Sequence, residues 1–375
     1  MDKPKIGVVG LGTMGLGIAQ VFAQAGFHVI ATDMQTAARG TATARLAKAL
    51  DARVAAGKLN ADQRHQTMAQ FEVVDALSEL HGTKLVIEAI IEDLDAKQSL
   101  LAKLEGIVSR GTVLATNTSS LSVTGISRGL KHPERLLGLH FFNPAPAMKL
   151  VECIVHAGTG PEPLALARAV CETAGKVVIT CADRPGFIVN RCARPFYGEA
   201  LAMLEEGRNA SDIDAAMLSA GYRIGPLSLI DLIGADINLA ATKGLAAAMG
   251  GHPRYHVFKS LLQQVDSGDL GRKSGKGFIF PSTPGATPPD AVAIALRIEA
   301  ALANEAASLL DEGTIDDAAI YTAMRLGLNF PRGPFQSARA QGLDRIRATL
   351  HALEAAAPVH LKGRYAISPA LQAMR

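Results

Sequence analysis

The chain has 375 residues, of which 48% are hydrophobic and 19% charged, and its formal net charge is +3. This length and composition predict a globular protein of two or three domains and exclude a disordered chain. The small net charge, without a long basic run, argues against nucleic acid as the main partner. No uninterrupted apolar stretch approaches the length that spans a membrane.

The N-terminus and the cysteines favour the cytoplasm. The first ten residues, MDKPKIGVVG, run directly into a strand-like segment and lack the charged and then apolar pattern of a signal sequence. The four cysteines form no C-x-x-C pair, which favours buried free thiols in a reducing compartment over disulfides or a metal site. We therefore expect a cytoplasmic protein without a bound metal.

A glycine-rich turn near the N-terminus predicts a dinucleotide site. A strand over residues 5–9 and a helix over 14–25 flank a G-x-G-x-x-G match made of Gly10, Leu11, Gly12, Thr13, Met14 and Gly15. The first glycine permits a tight turn, the second lets a pyrophosphate approach the backbone at the helix N-terminus, and the third lets helix and strand pack closely. A second strand over 28–32 leads to Asp33, whose carboxylate can bind both ribose hydroxyls and would repel a 2′-phosphate. This order of elements predicts a Rossmann-type domain that binds NAD in preference to NADP.

Polar residues follow two further predicted strands, over residues 84–88 and 113–115. Ligands of an open parallel sheet lie outside the carboxyl ends of its strands, so Glu92, Asn117 and Ser119 are placed to face the cofactor. Asn117 and Ser119 are equally well explained as helix-capping residues.

The segment from Leu136 to Glu152 reads LLGLHFFNPAPAMKLVE and contains two apolar runs separated by two prolines. The runs predict strands, and the prolines exclude a helix between them. If the strands are neighbours, the turn can bring Glu152 beside His140. A carboxylate on one imidazole nitrogen fixes the tautomer and leaves the other nitrogen as a base near neutral pH. A partly buried histidine beside an unrelated acid is the structural alternative.

Two other segments carry candidate substrate contacts. Residues 36–70 predict a helix-turn-helix excursion with scattered basic residues, which is either a solvated face or an arm that grips an anionic group. After a last strand over 176–180 and a break over 183–186, a long helix begins with Asn190 in its otherwise apolar first turn. Asn190 either satisfies a backbone group or projects into a cleft between domains.

The C-terminal half contains an internal repeat. Residues 195–217 resemble residues 301–324, and the offset between matched positions drifts only from 106 to 110. The Pro-rich stretch 281–289 between the copies has the composition of a linker. We predict an α/β fold with a Rossmann-type domain followed by two tandem all-α domains, with boundaries at 1–184, 185–282 and 283–375. Because Leu296 stands opposite Asn190, we expect the second copy to be structural.

Six motifs in order give the chain a resemblance to the 3-hydroxyacyl-CoA dehydrogenase family, including the 3-hydroxybutyryl-CoA dehydrogenases. They are GLGTMGLGIAQ, VIEAIIEDL, ATNTSSLSV, GLHFFNPAPAMKLVE, DRPGFIVNR and GRKSGKGF, and the resemblance that rests on them covers nearly the whole chain. The resemblance implies an NAD-dependent enzyme that reversibly oxidises the 3-hydroxyl group of an L-3-hydroxyacyl-CoA. The expected setting is fatty-acid metabolism, including β-oxidation, or the breakdown of aromatic compounds.

The resemblance also implies residue roles. His140 would be the catalytic base and Glu152 its orienting partner, while Ser119 and Asn190 would surround the substrate's 3-oxygen and thioester. Positions that match the family's nicotinamide contacts are Glu92, Lys97, Asn143 and Lys273, and Ser119 would touch both ligands. Where family members hold coenzyme A with a serine and a lysine on the helical arm, this chain has alanines, which leaves Lys48, Arg53 and Lys58 as candidates.

Several alternatives stay open. In single-copy family members the C-terminal domain pairs with that of another subunit, and we expect the second copy to take that place within the chain, as a monomer or a dimer. A dehydrogenase of the same superfamily acting on a free hydroxy acid or carnitine-like substrate is one alternative, and a non-catalytic NAD-binding structural protein is another. Four-carbon, medium-chain and dicarboxylyl substrates all fit, with Arg184, Arg194 and Arg223 as candidates to meet a distal carboxylate.

Overall fold

The computed structural model describes residues 3–375, which form two compact units that divide after Phe187. The first unit is built on eight strands: β1 Ile6–Val9, β2 Val29–Thr32, β3 Phe71–Val73, β4 Leu85–Glu88, β5 Val113–Thr116, β6 Leu136–Phe141, β7 Leu150–Val155 and β8 Val177–Ala182. Its helices are α1 Thr13–Gln24, α2 Thr36–Ala55, α3 Ala61–Ala69, α4 Leu94–Glu105, α5 Val123–Ser127 and α6 Pro161–Thr173.

The eight strands form one sheet in the order β3-β2-β1-β4-β5-β6-β7-β8. All neighbours are parallel except β6 and β7, which pair antiparallel. β1 lies between β2 and β4, so the order of the strands reverses there, and open α/β sheets bind ligands outside the carboxyl ends of their strands at such a point. The predicted Rossmann-type fold is therefore confirmed.

Helix α1 and the sheet share the core of this unit. β1 and β4 are buried along their whole length, as expected for central strands covered on both faces. The ring of Phe22 on α1 meets the ring of Phe141 at the end of β6, with 6.1 Å between centroids. This contact anchors the strand that carries His140 to the helix that follows the glycine turn.

The predicted helix-turn-helix excursion is present as α2 and α3. Gly57 adopts a φ of +67° between them, and the Asn60 side chain accepts a hydrogen bond from Gln63 N to begin α3. All four cysteines are buried free thiols, as predicted. Burial raises the pKa of Cys153 to about 12, which leaves this thiol unreactive near neutral pH.

The second unit is entirely helical in its regular elements. Its first half contains α7 Val189–Glu205, α8 Ala210–Ser219, α9 Pro226–Ile233, α10 Ala235–Ala248 and α11 Lys259–Asp266. Its second half contains α12 Ala291–Asp311, α13 Asp317–Leu328, α14 Pro334–Gln341, α15 Leu343–Ala356 and α16 Pro369–Ala373. Among residues 3–375, no helix combines the length and apolar character that a membrane crossing needs.

The two halves of the helical unit repeat one another. α9 and α14 both have 8 residues, and α10 and α15 both have 14. The glycines that join these pairs, Gly234 and Gly342, both take a positive φ, at +109° and +90°. An L side chain rarely adopts that conformation, so glycine is required at both joints. The repeat seen in the sequence is thus a repeat of helices, while the domain boundaries at 184 and 282 stay predictions.

Glu199 on α7 lies at the centre of a buried ionic cluster formed with residues of the second half. Its carboxylate accepts from Arg364 Nε and Arg297 Nε, both at 2.9 Å, and from the Tyr365 hydroxyl at 3.0 Å. Burial opposes ionisation of Glu199, but the two guanidinium groups outweigh it and lower the pKa of the carboxyl.

Glu305 on α12 is the centre of a matching cluster with the roles of the halves exchanged. Its carboxylate accepts from Arg191 Nε at 2.7 Å, Arg254 Nη1 at 3.2 Å and the Tyr255 hydroxyl at 2.7 Å. The glutamate of each half thus accepts hydrogen bonds from two arginines and one tyrosine of the other half. That reciprocity is the pattern of an isologous interface between two equivalent subunits, here made within one chain.

Candidate active site

His140 and Glu152 lie opposite each other on the antiparallel pair β6 and β7. The His140 Nδ1 and Glu152 Oε2 atoms are 2.7 Å apart, with Glu152 fully buried and His140 7% exposed. A carboxylate at Nδ1 holds the imidazole in one orientation and places the basic lone pair of the neutral ring on Nε2. The neighbouring strands and the resulting proximity predicted from the sequence are both present.

Aromatic rings surround the imidazole of His140. The Phe142 ring centroid is 4.5 Å away and the Phe187 centroid 5.8 Å away. Nε2 makes no hydrogen bond to any residue in the part of the chain that the structure describes. β6 runs parallel to β5, so His140 lies near the carboxyl edge of the sheet, where ligands of this fold bind.

The glycine turn has the geometry that a dinucleotide needs. Gly10 has a φ of +100°, and a Cβ there would lie 2.5 Å from the Ala89 carbonyl oxygen, while a Cβ on Gly15 would lie 1.7 Å from the Gly10 carbonyl oxygen. A Cβ on Gly12 would meet nothing within 4 Å, so that side of the turn is open. No side chain caps the N-terminus of α1, whose first N–H groups can receive a phosphate.

Asp33 stands at the end of β2 beside this turn. Its Oδ2 accepts a hydrogen bond from Leu11 N at 2.7 Å, and its Oδ1 accepts one from Gln35 N at 2.8 Å. The carboxylate is therefore fixed against the glycine turn and keeps acceptor capacity for ribose hydroxyls. The turn and Asp33 together fit the NAD that the sequence predicts.

Glu92 binds the loop that contains Ser119. Its Oε1 accepts from the Thr118 hydroxyl at 2.7 Å, from Ser119 N at 2.9 Å and from Ser120 N at 3.1 Å. Partial burial opposes ionisation, but the Thr118 hydrogen bond, the Lys97 charge and the backbone N–H of Ser119 outweigh it and lower the pKa of Glu92. Glu92 thus positions Ser119, and its predicted contact with the cofactor stays a prediction.

Lys97 is fully buried beneath this loop. Its Nζ donates to Glu88 Oε1 at 2.7 Å and lies 3.5 Å from Glu92 Oε2. Glu88 also accepts from the Thr116 hydroxyl at 2.6 Å, so the ends of β4 and β5 are tied together. Lys97 thus lies beside the carboxylate of Glu92, which in turn holds the loop of Ser119. The direct cofactor contact predicted for Lys97 stays a prediction.

Asp183 is a site-positioning residue that the sequence reading did not single out. It follows β8, and its carboxylate accepts from the Ser122 hydroxyl at 2.7 Å, Val123 N at 3.0 Å and Thr124 N at 2.7 Å. The loop that carries Ser119 is therefore held by Glu92 on one side and Asp183 on the other. The available signal was an acidic residue three positions after the strand predicted over 176–180.

Asn117 and Asn143 flank the strand of His140. Asn117 Oδ1 accepts from Phe141 N at 3.0 Å and so joins the ends of β5 and β6, a structural role that leaves its amide nitrogen available. Asn143 is exposed on the turn that follows the strand. The predicted cofactor contacts of both residues stay predictions.

The turn between β6 and β7 is held by Lys176, another residue that the sequence reading did not single out. The Lys176 Nζ donates to the carbonyl oxygens of Ala145 and Met148 at 2.6 and 2.7 Å. Burial is the main cause that lowers its pKa to about 8. Lys176 thus fixes the segment that connects His140 to Glu152.

The remaining predicted site residues belong to segments of the chain other than the strands and loops around His140 and Ser119. Lys48 is exposed and Arg53 half-buried on α2, and Lys58 is exposed just beyond it, so these basic residues follow one helical arm. Asn190 lies in the first turn of α7 in the helical unit. Lys273, in the same unit, pairs with Asp236, with Nζ and Oδ2 2.6 Å apart. Their contacts with substrate or cofactor stay predictions.

Family models identify both parts of the chain. The NAD-binding domain of 3-hydroxyacyl-CoA dehydrogenase matches residues 5–184, and the C-terminal domain of the same enzyme matches residues 186–280 and 294–375. The chain belongs to the 3-hydroxyacyl-CoA dehydrogenase family. As a member of this family it is an NAD-dependent oxidoreductase that acts on the hydroxyl group of acyl-CoA thioesters in fatty-acid metabolism.

Individual relatives in this family agree. The 3-hydroxyadipyl-CoA dehydrogenase of Escherichia coli K12 is 43% identical over 72% of this chain and 58% of its own length. The 3-hydroxybutyryl-CoA dehydrogenase of Mycobacterium tuberculosis is 37% identical over 73% of this chain and 97% of its own length. A crystal structure of 3-hydroxybutyryl-CoA dehydrogenase from E. coli K12 superimposes with a TM-score of 0.90 at 31% identity, covering 99% of this chain and 98% of that one.

Proposed function

We propose that the His140–Glu152 pair supplies the acid–base chemistry of an NAD-dependent L-3-hydroxyacyl-CoA dehydrogenase. The observation that carries this proposal is the 2.7 Å contact between Nδ1 and a fully buried carboxylate, which leaves Nε2 as the base. The glycine turn and Asp33 would hold the adenosine half and pyrophosphate of NAD. A bound NAD supplies the hydride acceptor.

In the proposed reaction, Nε2 of His140 takes the proton of the 3-hydroxyl group as the alcohol is oxidised. The imidazole then carries a positive charge, and the Glu152 carboxylate stabilises it at Nδ1. Because Glu152 is buried, this stabilisation is stronger than it would be in water. In the reverse direction the imidazolium protonates the alkoxide. Ser119 and Asn190 are proposed to hold the 3-oxygen and the thioester.

A substitution of His140 tests the proposal. His140→Ala should lower kcat by about 10²–10⁴-fold, the contribution of a positioned general base, and leave NAD binding nearly unchanged. Turnover is followed by NADH absorbance with a 3-hydroxyacyl-CoA, and NAD affinity by calorimetry.

A second histidine–glutamate pair provides the matched control. His28 and Glu72 also form a contact, with Nε2 and Oε2 3.0 Å apart, but both side chains are partly exposed. His28→Ala should leave kcat within about twofold, as a surface substitution does. A normal kcat for His140→Ala would refute the base assignment, and turnover of the free hydroxy acid as fast as of its thioester would favour the coenzyme A-independent alternative.

We also propose that the second helical copy takes the place of a partner subunit. The reciprocal clusters around Glu199 and Glu305 support this, because each half completes the ionic network of the other. A monomer is then the simplest state of the full chain. A cytoplasmic location, which cell fractionation tests, is likewise a proposal.

A further inference from the structure

Arg194 on α7 is a buried guanidinium to which the described residues offer no carboxylate. It is 8% exposed, its Nε donates to Asn190 O at 3.1 Å, and its Nη1 donates to the Thr242 hydroxyl at 2.9 Å. The ring of Tyr197 lies 4.9 Å from its central carbon. Within residues 3–375, these neutral groups are the partners of Arg194.

The other buried arginines are paired. Arg135, Arg191 and Arg364 each have a carboxylate oxygen within 3.7 Å. Burial of an unpaired charge is costly, and proteins rarely accept it without a function. Burial also lowers the pKa of the Arg194 guanidinium, against a smaller opposing effect of Tyr197. The guanidinium stays charged, because arginine keeps its proton in proteins.

The second helical copy shows that the fold does not need this group. At the repeat offset of 106 residues, Arg194 corresponds to Ala300, which is fully buried in α12. At the offset of 108, Thr242 and Asn238, whose carbonyl oxygen accepts a hydrogen bond from the Thr242 hydroxyl, also have apolar counterparts. Asn238 and Thr242 correspond to the fully buried Ile346 and Leu350 of α15. The buried polar cluster is therefore confined to the copy that carries Asn190.

Position on the helix relates Arg194 to the substrate site. Arg194 follows Asn190 by four positions, which is ~6 Å along the axis, and the two residues share a face. Side chains of a helix lean toward its N-terminus, and the hydrogen bond from Nε to Asn190 O shows that Arg194 does so. Its guanidinium thus lies over the turn where the proposed function puts the acyl thioester.

We infer that Arg194 receives a carboxylate at the far end of the acyl chain, so that the enzyme acts on dicarboxylyl-CoA substrates. This inference rests on the proposed function, which supplies the reaction and the role of Asn190. The planar fork of arginine matches a carboxylate, and the third nitrogen, Nη2, is free of hydrogen bonds to the described residues. Thr242 and the Asn190 carbonyl hold the other two nitrogens, which fixes the fork in place.

Two six-carbon substrates test the inference. 3-Hydroxyadipyl-CoA ends in a carboxylate and 3-hydroxyhexanoyl-CoA in a methyl group. The wild-type enzyme with NAD should have the higher kcat/KM for the first. Arg194→Ala should lower kcat/KM for 3-hydroxyadipyl-CoA by about 10- to 100-fold, the effect of losing one charge-assisted hydrogen bond to a ligand. Turnover of 3-hydroxyhexanoyl-CoA should stay within about threefold.

Two further variants separate charge from packing. Arg194→Lys should restore part of the preference, because it keeps the charge without the fork. Arg208→Ala removes an arginine whose partner, Asp290, is partly exposed, and it should change neither substrate's kcat/KM. Equal kcat/KM of the wild type for both substrates, or an equal loss for both in Arg194→Ala, would overturn the inference.

A binding measurement on the wild-type protein tests the inference even if Arg194→Ala does not fold. Adipyl-CoA and hexanoyl-CoA lack the 3-hydroxyl group and cannot turn over, so calorimetry reports their affinity alone. Tighter binding of adipyl-CoA supports the carboxylate site, and equal affinity contradicts it. Absence of turnover with either hydroxyacyl-CoA would count against the proposed function, whereas the binding comparison would still judge Arg194.

Discussion

Lys176 shows how one buried charge holds the geometry of His140. Lys176 is 8% exposed, and its ammonium group donates to two carbonyl oxygens of the turn between β6 and β7. A neutral amine has two N–H groups and can keep both hydrogen bonds, so loss of the proton removes the cost of burying a charge without freeing the turn. The stability contributed by this residue should therefore depend on pH.

Lys176→Met should reveal this dependence. The pKa of Lys176 is lowered from 10.5 to about 8, so below pH 8 the lysine is charged in both the folded and the unfolded state. Between the two values the unfolded state binds more protons, and the free energy of unfolding of the wild type rises with pH. Urea unfolding at about pH 7 and about pH 10 should show the wild type gaining stability relative to Lys176→Met. The exposed Lys149 gives the control, since Lys149→Met should follow the wild type at both pH values. If the free energies of unfolding of the wild type and Lys176→Met differ by the same amount at both pH values, the lowered pKa of Lys176 is contradicted.

The loop after β5 shows how a segment without regular secondary structure is made rigid. Glu92 receives hydrogen bonds at its start and Asp183 at its end, so Ser119 is presented by a loop held at two points. The charge on Glu92 is itself supported by Lys97 from below. Preorganisation of this kind lets a loop present a polar group to a substrate without an ordering cost during the reaction.

Glu92→Gln should loosen this loop. The amide has one acceptor oxygen and no charge, and its NH₂ group would face Lys97, so the hydrogen bonds from Ser119 N and Ser120 N should weaken. Amide hydrogen exchange of these residues should become about tenfold faster, equivalent to ~1.4 kcal/mol, and kcat/KM should fall with it. Asp93→Asn is the control, because Asp93 caps α4 through Ala96 N and does not contact the loop. Unchanged exchange at Ser119 in Glu92→Gln would show that backbone turns alone hold the loop.

At the scale of the whole molecule, the chain combines the proposed catalytic pair, His140 and Glu152, with two helical copies. The copies exchange buried glutamates, arginines and tyrosines in the same way on both sides. Removal of one partner from a buried ion pair typically costs about 3–5 kcal/mol, because the remaining charge is left uncompensated. Each copy is therefore expected to be unstable without the other.

Deletion of residues 283–375 tests this expectation. The shortened chain should dimerise or aggregate, because Glu199 loses both arginines and the apolar face of α7 loses α12. Size-exclusion chromatography with light scattering gives the oligomeric state. As a control, residues 1–282 and residues 283–375 are expressed as two separate chains. The two chains should bind each other and form a one-to-one complex. A shortened protein that stays monomeric and as stable as the full chain would show that the second copy is dispensable.

The accuracy of the sequence-based predictions depended on the distance along the chain over which each contact acts. The glycine turn, Asp33 and the His140–Glu152 pair lie in adjacent elements, so local motifs and alternation were enough to predict them. Lys176 meets the turn it holds across 31 and 28 positions, and Asp183 meets Ser122 across 61. Such contacts depend on the order and register of strands, which local periodicity does not report.

Lys97 illustrates the same limit within one helix. A lysine on a helix is expected on the solvated face, yet Lys97 is fully buried because Glu88 ends a strand directly beneath it. The repeat, by contrast, was visible in the sequence because duplicated helices keep their length and their joining glycines.

The internal repeat also changes which substitutions the enzyme can accept. In a dimer of identical chains every change appears in both halves, so a buried arginine useful beside one substrate must be tolerated at two places. In a tandem chain the copies are separate stretches of sequence, and Arg194 can stand in one while Ala300 fills the other. The two linked copies can therefore differ, so that one carries a residue for substrate recognition while the other keeps an apolar interior. A substitution that changes the preference for acyl groups then leaves the packing of the second copy unaltered.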